Sequence, residues 1–272
     1  MGEGAPRTAE PLVNRAKTSP LTVSYPAEGN EVCYAVEEKS FWFRHRNDCI
    51  LALLRRFPPG GELLDVGGGN GFVALHLQAN DFPVALLEPG SGAERARERG
   101  VRNVIQSDLE HAELDEGSVP AVGLFDVVEH IQDDRVFLED LHRLLLPHGR
   151  LYLTVPAFGW LWSREDEDAG HFRRYSGNKL RSLLGGAGFQ LDYLTALFFW
   201  LPPAIGLFRT LPRLLRSPAM GGLSPERLQR DHQPPFFFSP LLDLLSRQEQ
   251  GIIRKGGALP FGSSWMAVAT RI

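Results

Sequence analysis

The stretch "LLDVGGGNGF", Leu63–Phe72, decides the fold. An apolar run that contains an aspartate is followed by four closely spaced glycines. Asp65, Gly67, Gly69 and Gly71 form the pattern D-x-G-x-G-x-G, with Gly68 at one of its variable positions. Glycine is needed where a Cβ atom would block close approach to the backbone, and the start of a helix presents outward N–H groups. The pattern therefore predicts a strand-to-helix turn that binds a ligand.

Short apolar runs alternate with helical segments after this stretch. The runs include "FPVALLE", "VRNVIQSD", "VPAVGLFD" and "GRLYLTVPA", and one long helix is predicted through "VVEHIQDDRVFLEDLHRLLL". Strands that alternate with helices imply right-handed crossovers and a parallel sheet covered on both faces. The fold class predicted is therefore α/β, a doubly wound Rossmann-like domain.

Composition shifts divide the chain into five parts. We predict a flexible tail, an N-terminal helical cover, the α/β domain, a helical insertion and a final strand in "SSWMAVATRI": residues 1–30, 31–60, 61–197, 198–262 and 263–272. The insertion contains two predicted amphipathic helices. One of them places Arg209, Arg213 and Arg216 on a single face, although Pro212 interrupts it.

Charge and cysteine content exclude some function classes. A net charge of -4 over 272 residues gives no general basic field, so nucleic acid is not an expected partner. Cys33 and Cys49 form neither a metal-type pair nor a disulfide framework, which favours the cytoplasm. The N-terminus has no apolar signal region, and the apolar segment 194–208 is too short to span a membrane and contains two prolines.

Two acidic residues after neighbouring strands narrow the choice of ligand. Glu88 ends the next predicted strand, where a carboxylate can accept hydrogen bonds from a ribose diol, as in sites for NAD or S-adenosylmethionine. Asp108 follows the third strand, near where an adenine edge would lie. A dinucleotide fingerprint would place its third glycine where Phe72 stands, so the spacing argues against NAD.

These motifs resemble those of the class I S-adenosylmethionine-dependent methyltransferases, and more closely the quinone-biosynthesis and related small-molecule branch. "LLDVGGGNG" resembles the first motif, Glu88 the ribose acid, "SD" the adenine-side motif and "LFDVVEHI" the motif after the fourth strand. The resemblance implies the strand order 3-2-1-4-5-7-6 with an antiparallel last strand. It also implies S-adenosyl-L-methionine as cofactor, bound by Arg46, Asp65, Gly67, Gly68, Gly69, Gly71, Glu88, Pro89, Asp108, Leu109, Phe125 and Asp126.

Some of these residues have structural interpretations as well. By the resemblance, the counterpart of Asp65 positions the glycine turn through backbone hydrogen bonds. Asp126 and Glu129 form D-x-x-E, which is also a helix capping box. With His130 they resemble a metal-binding variant in some quinone methyltransferases, but Asp replaces its first Glu and we predict no metal.

The helix before the glycine stretch contains "SFWFRHRND". Arg46 could donate two parallel hydrogen bonds to the methionyl carboxylate of the cofactor, since similar methyltransferases have an arginine about twenty residues before the first motif glycine. The alternative is an ordinary amphipathic helix with solvated arginines. Trp42 is a candidate substrate contact, with packing as its alternative.

Candidate catalytic residues follow the fourth and fifth strands, where open α/β sheets bind their ligands. Methyl transfer needs an aligned nucleophile and, for a hydroxyl acceptor, a base. His130 and His171 are the candidate bases, and Arg173, Arg174 and Tyr175 of "HFRRYS" are candidate substrate contacts. The structural alternatives are backbone hydrogen bonding for His130 and, for the second segment, ion pairing with the acidic run 165–168, while Ser176 could cap the next helix.

Phe-rich and Pro-rich flanks of the insertion favour a lid over an apolar acceptor or a peripheral membrane contact. Packing or a dimer contact is the alternative, and a monomer and a homodimer both remain open.

The sequence thus predicts an S-adenosylmethionine-dependent methyltransferase acting on a small-molecule or lipid-like acceptor by in-line transfer. The alternatives are a non-catalytic protein that binds the cofactor and a nicotinamide-dependent oxidoreductase.

Overall fold

The structure, a computed structural model, describes residues 29–201 and 239–272. The helices are α1 (Gly29–Val36), α2 (Phe41–Arg56), α3 (Phe72–Gln78), α4 (Gly92–Arg99), α5 (Asp134–Leu144), α6 (Arg164–Asp168), α7 (Gly177–Gly186) and α8 (Ser239–Lys255). The strands are β1 (Leu63–Val66), β2 (Val84–Leu87), β3 (Asn103–Ile105), β4 (Val119–Phe125), β5 (Leu145–Pro156), β6 (Phe189–Leu197) and β7 (Ser264–Arg271). Two short 3-10 helices span Val128–His130 and Gly159–Leu161.

The strands form a seven-stranded sheet in the order β3-β2-β1-β4-β5-β7-β6. Neighbouring strands from β3 to β5 are parallel, whereas β7 runs antiparallel to both β5 and β6. The predicted fold class, strand order and antiparallel last strand are confirmed.

The sheet is covered on both faces, which explains the continuous apolar runs of its central strands. All four residues of β1 and all four of β2 are buried. Side chains on one face pack with α5 and α7, and those on the other with α2, α3 and Ile253 of α8. Strands buried on both faces lack the alternation of polar and apolar residues seen in half-exposed strands.

Helix α8 packs against α2, so the second predicted helix of the insertion lies beside the N-terminal cover. Ser40 caps α2 by accepting a hydrogen bond from the backbone N–H of Phe43, and Ser176 caps α7 as predicted.

The predicted tail up to residue 28 and the predicted helix with Arg209, Arg213 and Arg216 lie outside the described residues. Within 29–201 and 239–272, no helix combines the length and apolarity needed to cross a bilayer.

The prediction of one long helix after β4 is wrong. A 3-10 helix at Val128–His130 is followed by an interruption before α5, and β5 begins at Leu145, where the sequence predicted helix. The capping box is also absent, because Asp126 has a φ of +60° and its side chain faces Arg46 and Thr154 instead of the helix N–H groups. This backbone turn points Asp126 toward the carboxyl edge of the sheet.

Candidate functional site

The glycine turn between β1 and α3 has the bare backbone that the sequence predicted. Gly67, Gly69 and Gly71 have φ values of +68°, +54° and +72°, a region that favours glycine. A Cβ atom on Gly68 would lie 2.1 Å from Leu86 Cδ1 and 2.6 Å from an oxygen of Asp65. The turn therefore requires glycine because of its backbone conformation and its packing against Leu86 and Asp65, and close approach of a ligand to this main chain stays a prediction.

Glu88 connects this turn to the next one. Its carboxylate accepts hydrogen bonds from the N–H of Gly69, at 3.0 Å, and from the N–H of Gly90, at 2.9 Å. The side chain is thus fixed at the carboxyl end of β2, where the sequence predicted a ribose-binding acid. Pro89, beside it, is exposed at the same edge.

Asp65 lies under the turn, fully buried. Neither carboxylate oxygen has a hydrogen-bond partner among the described residues, so the backbone hydrogen bonds that the resemblance implied are not made there. The pKa of this carboxyl is raised to about 7, mainly because burial disfavours its charged form. The positive charge of Arg46 lowers the pKa, and the negative charge of Glu88 raises it further. The carboxyl under the turn can therefore change charge near neutral pH.

Arg46 reaches from α2 to the carboxyl end of β4, where its guanidinium donates a hydrogen bond to Asp126. The other oxygen of Asp126 accepts a hydrogen bond from the hydroxyl of Thr154 on β5, at 2.9 Å. The guanidinium also lies 5.1 Å from the ring centre of Trp42. Arg46 is thus in the predicted region, and its contact with a methionyl carboxylate stays a prediction.

The remaining predicted cofactor residues lie at this edge in different surroundings. Asp108 is half exposed and accepts a hydrogen bond from the backbone N–H of His111 at 2.8 Å. Leu109 packs partly buried against the core, and Phe125 is buried at the end of β4.

Trp42, the candidate substrate contact, stacks on Phe198 with the ring centres 5.2 Å apart. This contact corresponds to the alternative interpretation, in which Trp42 packs within the protein. Its role as a substrate contact stays a prediction.

The two candidate bases lie together. The rings of His130 and His171 meet edge to face at 4.7 Å, and possible ligand atoms of Glu129 and both histidines lie within 4.8 Å of one another. Burial, followed by repulsion from His171, lowers the pKa of His130 to about 3, so its imidazole is neutral at physiological pH. A carboxylate and two imidazoles at this separation could also bind a metal, so the absence of a metal stays a prediction.

Asp166 organises the loop that contains His171. Its carboxylate lies 2.8 Å from Nδ1 of His171, accepts a hydrogen bond from Nε of Arg174 at 2.7 Å and accepts another from the N–H of Ser163 at 2.7 Å. Burial alone would raise its pKa, but the bonds from His171 and Arg174 lower it to about 2. The arrangement leaves Nε2 as the ring nitrogen of His171 that can face an acceptor.

The neighbouring residues of "HFRRYS" are engaged within the protein. Arg173 forms an ion pair with Asp134 at 2.7 Å, and the hydroxyl of the fully buried Tyr175 donates to the same carboxylate at 2.9 Å. Arg174 donates to the carbonyl of Ala157 as well as to Asp166. These contacts support structural roles, and substrate binding by the three residues stays a prediction.

Sequence reasoning overlooked Thr154 and considered Asp166 only as part of the acidic run 165–168. Thr154 lies within the apolar run of β5, and no sequence pattern distinguishes it. Asp166 had a usable signal, because Ser163 and Asp166 form a capping box at the start of α6. Glu129 was predicted only as part of a capping box and of a metal-binding pattern. Its side chain is 1% exposed, and its pKa is raised first by burial and then by the negative charge of Asp126.

An exposed aromatic patch, formed by Phe158, Trp160 and Phe261, lies where β5 ends and β7 begins. The rings of Trp160 and Phe261 stack at 6.0 Å and remain 62% and 38% exposed. Phe158 contacts both rings and has a φ of +55°, a strained backbone for a bulky residue. Phe172, which follows His171, is also 40% exposed. Apolar rings are therefore exposed at the end of β5 and at the residue that follows the candidate base.

The methyltransferase-domain family model matches residues 40–194. A probable S-adenosylmethionine-dependent methyltransferase of Mycolicibacterium smegmatis is 26% identical over 187 residues, which cover 65% of this chain and 70% of the relative. A ubiquinone biosynthesis O-methyltransferase of Rickettsia conorii is 31% identical over 100 residues, 35% of this chain and 34% of that protein. Both similarities concern proteins named for methyl transfer.

Among solved structures, the chain resembles geranyl diphosphate C-methyltransferase from Streptomyces coelicolor in complex with Mg²⁺, geranyl diphosphate and S-adenosyl-L-homocysteine. The TM-score is 0.52 at 16% identity, and the match covers 87% of this chain and 84% of the other. At this identity the similarity concerns the fold alone.

Proposed function

Because the chain belongs to the methyltransferase-domain family and is an S-adenosylmethionine-dependent methyltransferase, we propose that it methylates an apolar or lipid-linked small molecule by in-line transfer. The observation that carries the choice of acceptor is the exposed aromatic patch at the end of β5, together with Phe172, the exposed residue that follows His171. Large exposed apolar surface on a protein marks a binding site for an apolar partner.

The residues at the carboxyl edge fit the cofactor. S-adenosylmethionine, when bound, supplies a methyl group on a positively charged sulfur. The glycine turn would present its main chain to the ligand, and Glu88 would accept hydrogen bonds from the ribose hydroxyls. Asp108, half exposed at the end of β3, would accept from the adenine amino group. Arg46 would exchange its bond with Asp126 for the methionyl carboxylate, since a guanidinium donates to either anion.

His171 is the proposed proton acceptor. Its Nδ1 is bound to Asp166, which orients the ring and stabilises the positive charge that follows proton uptake. An acceptor hydroxyl would lose its proton to Nε2 as its oxygen forms the bond to the methyl carbon; the methyl–sulfur bond would break in the same step, and the sulfur would leave as a neutral thioether. His130 is the less suitable base because its pKa of about 3 gives it little affinity for a proton at neutral pH. His130 would instead hold the ring of His171 in place through their edge-to-face contact.

The proposal is tested with cofactor labelled in its methyl group and two acceptor mixtures, a lipid extract and a fraction of water-soluble metabolites. We expect label to enter the lipid extract. Trp160→Ser and Phe261→Ser should raise the KM for the extract, while Leu244→Ser serves as a matched control because Leu244 is 52% exposed on α8. Label found only in the water-soluble fraction, from active enzyme, would contradict an apolar acceptor.

A further inference from the structure

A second group of reactive side chains lies away from the candidate active site, between α2 and α8. His45 and Cys49 are one helical turn apart on α2, and Glu249 faces them from α8. The three residues are 3%, 0% and 0% exposed. A substrate cannot reach groups so deeply buried, so a role in nucleophilic catalysis does not fit them.

The donor atoms of these residues converge. Sγ of Cys49 lies 3.6 Å from Nε2 of His45, and Nε2 lies 2.5 Å from Oε2 of Glu249. Two ligands on a tetrahedral zinc ion, with Zn–S near 2.3 Å and Zn–N near 2.0–2.1 Å, are about 3.6 Å apart. The sulfur and Nε2 have this separation, but Sγ also lies 3.9 Å from Nδ1, so the His45 ring would have to rotate to direct Nε2 at an ion between Cys49 and Glu249. The carboxylate oxygen would withdraw by roughly 1 Å from the nitrogen to reach its own position.

The buried carboxylate of Glu249 pairs with the imidazole of His45, and a bound cation would add to this compensation. A buried carboxylate is costly unless a positive group or several hydrogen bonds compensate it. Glu249 receives one hydrogen bond from His45 and one from the backbone N–H of Phe199, at 3.1 Å. We propose that His45, Cys49 and Glu249 bind a zinc-class divalent ion. Binding would form the metal–sulfur bond and release the thiol proton of Cys49 to solvent.

The surroundings would support such an ion. The hydrogen bond from Phe199 to the other carboxylate oxygen orients Glu249, as outer contacts do around bound metals. The amide of Gln250 lies 3.5 Å from Nδ1 of His45, and its oxygen, after rotation, would accept the ring N–H. The rings of Phe41 and Phe198 contact His45 and place apolar surface around the site. Three protein donors leave the fourth tetrahedral position for water or an added ligand.

The site would fasten α8 to the cover helix. Residues 45 and 249 are far apart in the chain, so one ion would join the N-terminal cover to the segment that precedes β7. Arg46 follows His45 directly and reaches Asp126 at the active-site edge. Metal loading would thereby stabilise the helix that presents Arg46, without contact between the ion and the cofactor.

The first test uses Co²⁺, whose thiolate complexes have a charge-transfer absorption band. The chain contains two cysteines, so in Cys33→Ser protein a thiolate band can arise only from Cys49. We expect metal-depleted Cys33→Ser protein to bind one equivalent of Co²⁺ with this band, and to lose the band on addition of Zn²⁺. Absence of the band from folded Cys33→Ser protein would overturn the proposal.

Variants then locate the site. Cys49→Ala, His45→Gln and Glu249→Gln should each weaken Zn²⁺ binding by about 100-fold or more and remove the rise in melting temperature caused by Zn²⁺. His171→Asn, which alters the other group of possible metal ligands, should leave the Cys49-dependent band unchanged. Zn²⁺ affinity lost in His171→Asn but retained in folded Cys49→Ala would assign the metal to the active site and refute this assignment.

Discussion

Arg46 of α2 donates a hydrogen bond to Asp126 at the end of β4, so the N-terminal cover is joined directly to the carboxyl edge of the sheet, where we propose that the cofactor binds. The guanidinium is 8% exposed and rests against the rings of Trp42 and Phe43. A buried arginine whose partner is the acidic residue after the fourth strand is placed to exchange that partner for a bound carboxylate.

Arg46→Ala should therefore weaken S-adenosylmethionine binding by about 10-fold to 100-fold, because charge-assisted hydrogen bonds contribute about 1.5–3 kcal/mol each. Titration calorimetry measures the change. Arg44→Ala is the matched control, since Arg44 is exposed two positions earlier on the same helix. Equal affinities of the two variants would remove Arg46 from the cofactor site.

Gly68→Ala should destabilise the protein and abolish cofactor binding. The added methyl group would lie 2.1 Å from Leu86 and 2.6 Å from Asp65, so the turn must shift to accommodate it. Thermal unfolding and calorimetry would report both effects. The control is Gly185→Ala in α7, where nothing lies within 4 Å and alanine should stabilise the helix by up to about 1 kcal/mol. A Gly68→Ala protein with normal melting and affinity would contradict the tightness of the turn.

The free energy of unfolding should depend on pH through Asp65. Its pKa is raised from an ordinary 3.8 to about 7, so between these values the folded protein retains a proton that the unfolded chain has lost. Stability therefore falls as pH rises from about 4 to 7, by about 1.4 kcal/mol for each pH unit, and levels off above that range. Asp65→Asn should flatten this part of the profile, which urea unfolding at several pH values would measure.

Glu129 contributes in the same direction, because its pKa is also raised by burial and then by Asp126. Glu129→Gln therefore provides the companion measurement, and the double variant should be flatter than either single one. Asp166 has the opposite effect, because its pKa is lowered in the folded protein. Its contribution to stability is lost as pH falls from about 4 to 2, which is below the pH range in which Asp65 titrates. An unchanged slope in Asp65→Asn would mean that the carboxyl is ionised and compensated in the folded protein.

Much of the fold was predictable because its signals are local. The glycine turn, the acid after β2 and the alternation of strands and helices follow from backbone geometry and burial, which neighbouring residues determine. The long helix after β4 was mispredicted because its apolar spacing continues through a place where Asp126 adopts a positive φ. That conformation depends on Arg46 and Thr154, which are distant in the chain.

The site was predicted less completely for the same reason. His130 and His171 were identified separately, but their contact and the role of Asp166 depend on a loop that folds back against the segment after β4, where the N–H of Phe172 donates to the carbonyl of Glu129. The pairing of His45 with Glu249 joins residues at opposite ends of the chain. No pattern within either helix indicates such a pair.

His171→Asn should reduce kcat for methyl transfer by about 10²-fold to 10⁴-fold, the contribution of a positioned general base, while cofactor affinity stays unchanged. Asp166→Asn should lower kcat less, because it orients His171 without contacting the acceptor, and it should also destabilise the loop by removing a partner of Arg174. Single-turnover rates with labelled cofactor separate chemistry from binding, and the exposed His148→Asn is the control. If His171→Asn retained full activity while His130→Asn lost it, the proton acceptor would be His130, and the low pKa of that residue would have to rise in the presence of the acceptor.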